Sequence, residues 1–420
     1  MYRGPVIPDS AAPASPSPFR VRDFRLVWAA RVAAVLGVQT QGAAVLWQVY
    51  EVARRDHGVA ESALYLSLVG LVQFLPLFAL TLPAGETADR RDRKKVMALC
   101  IGAEALCAAA FVGLALLGRP PLWSLLAVAA LFGASRAYLA PASQAMLPML
   151  VPRESLPRAI VASSLAFQVG AIAGPALGGL IVAVSVPAAY AVSLALFLVA
   201  ALLVLAIRTP TKPVPQPGSR WALMKEGLAY VWRTKIVFGA ISLDLVAVLL
   251  AGATLLVPIF ARDILHVGAE GFGIMRAAFG VGALLTALYL SKWPLLRRGG
   301  LWMFGSVAVF GLATVAFGLS QLFWLSVAAL AIAGAADMIS VNIRQTLVQI
   351  ATPDHMRGRV SSVSMLFIGA SNELGEFESG LAARFLGPVG AAVFGGVGSL
   401  VATGLWAAWF PSLRKADRLV

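Results

Sequence analysis

Long apolar runs separated by short polar segments dominate this chain and predict twelve membrane-spanning helices. A helix needs about 20 apolar residues to cross the hydrocarbon core of a bilayer, and each run reaches or approaches that length. Gly, Pro or charged residues bound the runs. The predicted spans cover residues 26–50, 62–82, 96–117, 121–149, 156–184, 187–207, 236–260, 271–291, 301–319, 322–350, 358–385 and 388–410. The pattern therefore predicts an all-α integral membrane protein.

The longest interior polar stretch, residues 208–235, falls almost at the midpoint and predicts a linker between two six-helix bundles. Its first part is rich in Pro, which disfavours helix. Trp221, Met224, Leu228 and Val231 then follow at helical spacing and predict a short interfacial helix. The predicted order is a disordered cytoplasmic tail (1–20), an N-terminal bundle (21–207), the linker (208–235), a C-terminal bundle (236–410) and a cytoplasmic tail (411–420).

The two predicted bundles share an internal repeat at an offset of 201 residues. Ten of 48 aligned positions are identical without a gap, in spans four and five against spans ten and eleven. Many transporters are built from such repeats and bind substrate between them, near the membrane midplane. The identical pairs include Gly133 and Gly334, Gln144 and Gln345, Pro152 and Pro353, Arg158 and Arg359, Gly174 and Gly375, and Gly179 and Gly380.

The charge distribution supports a membrane protein and predicts its orientation. Hydrophobic residues make up 59% of the chain and charged residues 13%, about half the share in a soluble domain. The net charge of +14 comes from short basic clusters between apolar runs, which argues against nucleic-acid binding. With the N-terminus inside, 26 of the 34 Lys and Arg residues are cytoplasmic. We therefore expect both termini on the cytoplasmic side of a bacterial inner membrane.

The chain offers little from which to build an enzyme. His57, His266 and His355 lie in unrelated predicted loops, so they predict neither a metal site nor a nucleophile–base pair. Cys100 and Cys107 share one predicted helix, about 10 Å apart, which is too far for a disulfide. No G-x-x-x-x-G-K-[ST] loop occurs, which excludes an ATP-driven pump within the chain. We expect no enzymatic activity, cofactor or metal.

The segment after span two combines an acid with a run of basic residues. From position 85 it reads G-E-T-A-D-R-R-D-R-K-K. It resembles the signature G-x-L-A-D-R-x-G-R-K/R that the major facilitator superfamily carries between helices two and three. The resemblance implies a latch between the two halves on the cytoplasmic side, with the acid near the N-terminus of helix eleven. The matching residues are Gly85, Ala88, Asp89, Arg90, Arg93 and Lys94; Thr87 and Asp92 replace the usual Leu and Gly.

Span five carries a cluster of small residues around a proline: Gly170, Gly174, Pro175, Gly178 and Gly179. Small residues at this spacing allow close helix packing, and the proline removes a backbone donor. Generic packing explains such a pattern as well. The run also resembles the motif that marks exporters working as antiporters in the same superfamily, and the resemblance favours export over uptake.

Residues 336–380 extend the resemblance to one branch of that superfamily. They include D-M-I-S-V-N-I-R-Q-T-L from position 337, R-G-R-V from 357 and S-N-E-L-G-E-F-E-S-G from 371. These runs are similar to the enterobactin-exporter branch. The resemblance implies the major facilitator fold, two pseudo-symmetric six-helix bundles. It further implies a transporter that exports a small amphipathic molecule, siderophore or drug-like, in exchange for protons. We expect this transporter to be a monomer. A lipid or lysolipid flippase is the alternative function on this fold.

Charged residues deep in the predicted spans are candidates for the transport site, because each costs about 2.5–3.5 kcal/mol to place at mid-membrane. Arg136 and Asp337 are equivalent in the repeat, and Asp337 shares a helical face with Arg344. We hypothesise a cluster of these three residues, against the alternative of a static salt bridge. A buried carboxylate can exchange a proton near neutral pH. Asp244 and Asp337 are therefore the first candidates for proton coupling, and Glu373 is the next.

Overall fold

The computed structural model describes residues 17–212, 220–293, 295, 297–353 and 356–416. The α-helices run, in chain order, α1 (Arg22–Asp56), α2 (Val59–Arg90), α3 (Arg93–Leu116), α4 (Leu122–Leu150), α5 (Leu156–Val184), α6 (Val186–Leu205), α7 (Arg220–Arg233), α8 (Lys235–Leu250), α9 (Ala253–Ile259), α10 (Gly268–Lys292), α11 (Gly299–Leu319), α12 (Phe323–Ile350), α13 (Arg357–Trp409) and α14 (Pro411–Arg414). No strand occurs within these described ranges, which confirms the predicted all-α class.

Eleven described helical segments are long and apolar enough to cross a membrane, and the last of them contains two crossings. That segment, Arg359–Trp409, has 51 residues. At about 1.5 Å per residue it is more than twice as long as a hydrocarbon core is thick. Gly387 breaks it with φ 73° and ψ 165°, a conformation that favours glycine. Residues 357–386 and 388–409 are therefore separate crossings, as the apolar pattern predicts, and the twelve-helix fold is confirmed.

The predicted seventh span differs from expectation because it is interrupted. α8 ends at Leu250, Ala251 and Gly252 leave the helical conformation, and α9 leads into a π-helix at Phe260–Ile264. A Cβ on Gly252 would lie 2.7 Å from the carbonyl oxygen of Gly375. The close approach of α13 therefore coincides with the interruption. Apolar residues on both sides of the break hide it in the sequence.

Two segments at one end of the bundle are helical where the sequence predicts loop or tail. α2 continues through Gly85 to Arg90, so Arg91 and Asp92 alone connect it to α3. Residues 1–16 of the predicted disordered tail lie outside the described part of the chain, but Pro18–Arg20 forms a 3₁₀ turn. Its Phe19 packs edge-on against Phe24, with ring centroids 5.2 Å apart.

The linker and the C-terminal segment pack against the second half. Residues 213–219 lie outside the described ranges, and α7 then follows where an interfacial helix is predicted. Glu226 on α7 pairs with Arg359 at 2.7 Å, and Tyr230 donates to the carbonyl oxygen of Ala351. After α14 the described chain ends at residue 416, so positions 417–420 of the predicted tail lie outside it.

We name the two ends of the bundle by what they carry. The linker face is the end at which α1 begins and α6 ends, and the far face is the opposite end, where α1 ends and α2 begins. Two helix pairs join the halves: α5 with α10, and α2 with α13. Equivalent glycines make equivalent contacts. Gly133 lies against the backbone of Gln73 on α2, and Gly334 against the backbone of Phe279 on α10.

The buried apolar residues show which end is closed. At the far face one continuous core combines both halves, including Trp47, Leu66 and Tyr190 with Phe260 and Phe272. Toward the linker face, one core belongs to α1–α6 and two further cores belong to the second half. The halves are thus packed together at the far face and have separate cores at the linker face.

Candidate functional site

An ion pair at mid-depth joins the two halves. Arg136 on α4 places Nη1 3.0 Å from Glu373 Oε1 on α13. The Arg136 side chain is 29% exposed and that of Glu373 is 12% exposed, so the pair is largely shielded. Phe132, one turn before Arg136, lies under the guanidinium with 6.0 Å from Cζ to the ring centroid. The pair is partly desolvated, and opening the contact between α4 and α13 requires its separation.

Three more charged residues lie close to this pair. Glu376 follows Glu373 by one turn and packs against Gly70 on α2, and its carboxylate lies within electrostatic range of Arg136 and Arg276. Arg276 on α10 has a buried Nε without a hydrogen-bond partner among the described residues. Glu104 on α3 also interacts electrostatically with Arg136. The inter-half cluster is defined as Glu104, Arg136, Arg276, Glu373 and Glu376.

A second charged group lies wholly within the second half. Arg344 on α12 places Nη1 2.8 Å from Asp244 Oδ2 on α8, and the two side chains are 4% and 6% exposed. Asp337 and Ser340 line a small pocket together with Asp244. Asp337 interacts electrostatically with both Asp244 and Arg344. We call Asp244, Asp337 and Arg344 the C-half cluster.

The structure divides the hypothesised cluster of Arg136, Asp337 and Arg344 into two. Arg136 pairs with Glu373 rather than with Asp337, and Arg344 pairs with Asp244. Arg136 and Asp337 lie at equivalent positions along α4 and α12, but their neighbours differ, because Arg136 reaches Glu373 on α13 and Asp337 interacts with Asp244 and Arg344. Position in a repeat fixes depth along the helix, whereas the partner depends on the neighbouring helix.

Two ion pairs at the far face are absent from the sequence prediction. Asp263 in the π-helix accepts from Arg54 Nη2 at 2.7 Å and from the Tyr50 hydroxyl. Arg262 lies 3.1 Å from Glu51 Oε1. Each pair joins the end of α1 to the end of the seventh span, across the two halves. In the sequence, each arginine has an acidic residue nearby, which could have indicated ion pairs. Charged residues at the ends of spans are common, however, and indicate only where a helix leaves the membrane.

The small residues of α5 lie where two helices approach it closely. Gly170 faces Val35 on α1, Gly174 faces Gln39, and Gly178 faces Thr40. Gly179 faces the other half instead, because a Cβ there would lie 3.0 Å from Gly273 Cα on α10. Pro175 lies inside the helix. The motif therefore packs α5 between α1 and α10.

The basic segment between α2 and α3 contacts its own half and the start of the linker. Arg93 donates from Nη1 to the carbonyl oxygen of Ala145, and Lys94 Nζ donates to that of Ile207 at 2.7 Å. Asp92 accepts from the Thr211 hydroxyl at 2.5 Å. Burial raises the pKa of Asp92, but hydrogen bonds from Thr211 and the Lys94 backbone outweigh it and hold that pKa below its usual value.

The predicted latch to the eleventh span, which forms the first part of α13, is not among these contacts. Gly85 and Arg90 belong to α2, and Arg90 pairs with Glu86 at the exposed surface at 3.0 Å. The side chain of Asp89 lies outside the part of the structure that is described. The open linker face explains the difference, since there the halves have separate cores.

Comparisons with known proteins match nearly the whole chain. A family model described as a transmembrane secretion effector matches residues 13–418. The enterobactin exporter EntS of Citrobacter koseri is 30% identical over 386 residues, which cover 90% of this chain and 86% of that exporter.

Solved structures of other transporters share the fold. PepTSo, a POT family transporter, aligns with a TM-score of 0.72 and 11% identity over 93% of this chain and 98% of its own. A bacterial homolog of the human lysosomal transporter Spinster, in an inward-facing and unoccupied conformation, aligns with a TM-score of 0.65 and 16% identity, covering 94% and 96%. At these identities the likeness concerns the fold.

Proposed function

Because this chain belongs to the transmembrane secretion effector family of the major facilitator superfamily, a family of multi-pass membrane transporters, we propose that it exports a small siderophore-like molecule in exchange for protons. Transport proceeds by alternating access, in which the two halves rock about a central site. The relatives' name, enterobactin exporter, supports the substrate class, and the α5 motif supports antiport.

The observation that carries this proposal is the unequal packing of the two faces. One apolar core and two ion pairs join the halves at the far face, whereas their cores are separate at the linker face. A rigid channel has no need of such asymmetry. A protein that alternates between two packings has one end closed at a time.

The asymmetric distribution of Lys and Arg supports a cytoplasmic linker face, with both termini inside. The observed state then opens toward the cytoplasm, from which an exporter loads its substrate. A single chain supplies both halves and the apolar core that joins them at the far face, which supports function as a monomer embedded in lipid. Lipid-facing helices carry exposed large apolar residues such as Leu99, Leu106 and Trp324.

The composition of the two charged clusters supports proton coupling. Each contains one acid more than it contains bases. A net charge left in an apolar interior is strongly unfavourable, so one bound proton per cluster neutralises it. Loss of that proton leaves an uncompensated charge that favours a different packing. The members are Asp244 and Asp337 with Arg344 in one cluster, and Glu104, Glu373 and Glu376 with Arg136 and Arg276 in the other.

Efflux from proteoliposomes with enterobactin as the probe tests the proposal. We expect transport against the enterobactin gradient when an opposing proton gradient is imposed, and none when the proton gradient is collapsed. Asp337→Asn removes the excess acid of the C-half cluster and should abolish the proton-driven component. Glu270→Gln, an exposed acid at the far face, is the matched control and should leave it intact.

Two results would contradict the proposal. Enterobactin transport that proceeds equally without a proton gradient would remove the coupling. Transport of labelled lysolipid in place of enterobactin, also indifferent to the gradient, would support the flippase alternative instead.

A further inference from the structure

Glu104 is a buried acid that the transport cycle described above leaves without a specific role. Its side chain on α3 has 0% relative exposure, and neither carboxylate oxygen has a hydrogen-bond partner among the described residues. An acid in such surroundings is strongly unfavourable unless it is neutral or gains a partner. The one described charge with which it interacts is Arg136.

Helix geometry places Glu104, Arg136 and Glu373 at one level of the bundle. Counted at about 1.5 Å per residue, Glu104 lies about 18 Å from the far-face end of α3. By the same count Arg136 lies about 21 Å from the far-face end of α4, and Glu373 about 21 Å from the break at Gly387. α3 packs directly against α4, and Arg136 reaches across to α13. Arg136 thus lies between an acid of its own half and an acid of the other half.

We propose that Arg136 exchanges partners during transport, pairing with Glu373 when the halves meet at this level and with Glu104 when they separate. The inference rests on the proposed alternating access. In the observed state Arg136 pairs with Glu373, and Glu104 carries the proton. When Arg136 moves to Glu104, the proton passes from Glu104 to Glu373, so that the total charge of the three groups is unchanged. Arg136 is never left buried without a counter-charge, which would be costly.

The surroundings of both acids are otherwise poor in ionisable groups. On α3 itself, Cys100 and Cys107 lie one turn to either side of Glu104. The neighbouring α6 contributes only Tyr190, whose hydroxyl donates to Gln48 Oε1 at 2.7 Å. On α4, which also packs against α3, the ionisable residues are Arg136 and Tyr138, and Arg136 is the charge that interacts with Glu104.

Glu373 is similarly placed. α2 has no ionisable residue between Tyr65 and Glu86, and α11 has none. On α8, Asp244 already forms an ion pair with Arg344. The remaining neighbours of Glu373 are Arg136 and, within the cluster, Glu376 with Arg276. Glu376 interacts electrostatically with Glu373, Arg276 and Arg136, whereas Arg136 is the described charge that interacts with Glu104.

Distance measurements on variants that lack one or the other acid test the exchange without any substrate. Spin labels on Arg91→Cys and Arg297→Cys, both exposed at the linker face, report how far the halves are apart. The native cysteines are buried, which limits background labelling. Glu373→Gln removes the partner across the halves, and Arg136 then pairs with Glu104. We expect this variant to change the ratio of the two distance populations by about fivefold or more, the usual range for a coupling between states.

Glu104→Gln should shift the ratio in the opposite direction to Glu373→Gln, because it removes the partner that Arg136 takes when the halves separate and leaves the pair with Glu373 intact. The double variant should fall between the two single variants. Glu104→Asp keeps the carboxylate and should leave the ratio near that of the wild type. Cys100→Ser, one turn away on α3, controls for altered packing. A Glu104→Gln variant whose ratio stays at the wild-type value, or shifts in the same direction as Glu373→Gln, would overturn the exchange.

The distance measurements separate this inference from the proposed function. Failure of proton-driven efflux leaves the distance populations readable, and it would contradict the antiport proposal alone. Normal efflux together with an unchanged ratio in Glu104→Gln would contradict the role of Glu104 alone.

Discussion

Breaking the ion pairs of the far face should shift the protein toward a state open at that face. The perturbation is Asp263→Asn. It removes the negative charge and replaces one carboxylate oxygen with an NH2 donor, whereas the two oxygens of Asp263 accept from Arg54 at 2.7 and 3.1 Å and from the Tyr50 hydroxyl. Arg54 is 23% exposed and Asp263 16% exposed, so water screens the pair only in part. The neighbouring pair of Arg262 and Glu51 remains.

The size of the shift follows from what is lost. Hydrogen bonds between charged groups contribute about 1.5–3 kcal/mol, and part of that is recovered when the open face is hydrated. A remaining bias of about 1–3 kcal/mol corresponds to a change of about 5- to 150-fold in the ratio of the two states. Glu51→Gln removes the more exposed pair and should produce a smaller shift.

The assay is the labelling rate of a single cysteine at Ser67. This residue is fully buried on α2, against Gly380 of the other half, and cysteine closely matches serine in size. A membrane-impermeant maleimide added from the far side labels it only while that face is open. We expect Asp263→Asn to raise the rate by the factor above, and Glu270→Gln to leave it unchanged. Equal rates for wild type and Asp263→Asn would refute the reasoning.

Three further predictions concern packing and the linker, and thermal unfolding in detergent measures each. Gly334→Ala places a Cβ against the carbonyl oxygen of Phe279 and should lower the free energy of unfolding by about 1–3 kcal/mol. Gly305→Ala is the control, because a Cβ there meets no atom within 4 Å and should be tolerated. Equal effects of the two variants would contradict the packing. Gly387→Ala forces a side chain onto φ 73° and should cost about 1–3 kcal/mol, with Gly369→Ala as control; an unchanged melting temperature would contradict the strain. Asp92→Asn should lower stability at neutral pH but not in strong acid. The pKa of Asp92 is below its usual value when folded, so its contribution is present above about pH 4 and is lost as pH falls through the folded pKa; a defect that persists in acid would contradict this.

The sequence predicts the helices well because a bilayer demands long apolar runs, and such runs are visible without any knowledge of packing. The break between the last two spans was also predictable, since Gly387 and Pro388 interrupt an apolar stretch. The interruption at Ala251 and Gly252 was not. It occurs between apolar residues and coincides with α13 passing close to the backbone.

The candidate site was predictable in its residue types but not in its pairs. A charged side chain is costly to insert into a membrane, so Arg136, Asp244 and Arg344 are expected to be paired or functional. The partner of each depends on the rotation of its helix and on which helix lies beside it, and spacing along one helix carries no such information. Glu373 is therefore the partner of Arg136 in place of Asp337. Glu51 and Asp263 were overlooked because span ends commonly carry charge.

Paired distance measurements at both faces test alternating access most directly. One pair of spin labels at Arg91→Cys and Arg297→Cys reports the linker face, and a second at Arg119→Cys and Gln321→Cys reports the far face; all four sites are exposed. The account predicts two populations whose distances change in opposite directions when pH or enterobactin is varied. A single fixed distance at each face, or both faces opening together, would contradict it.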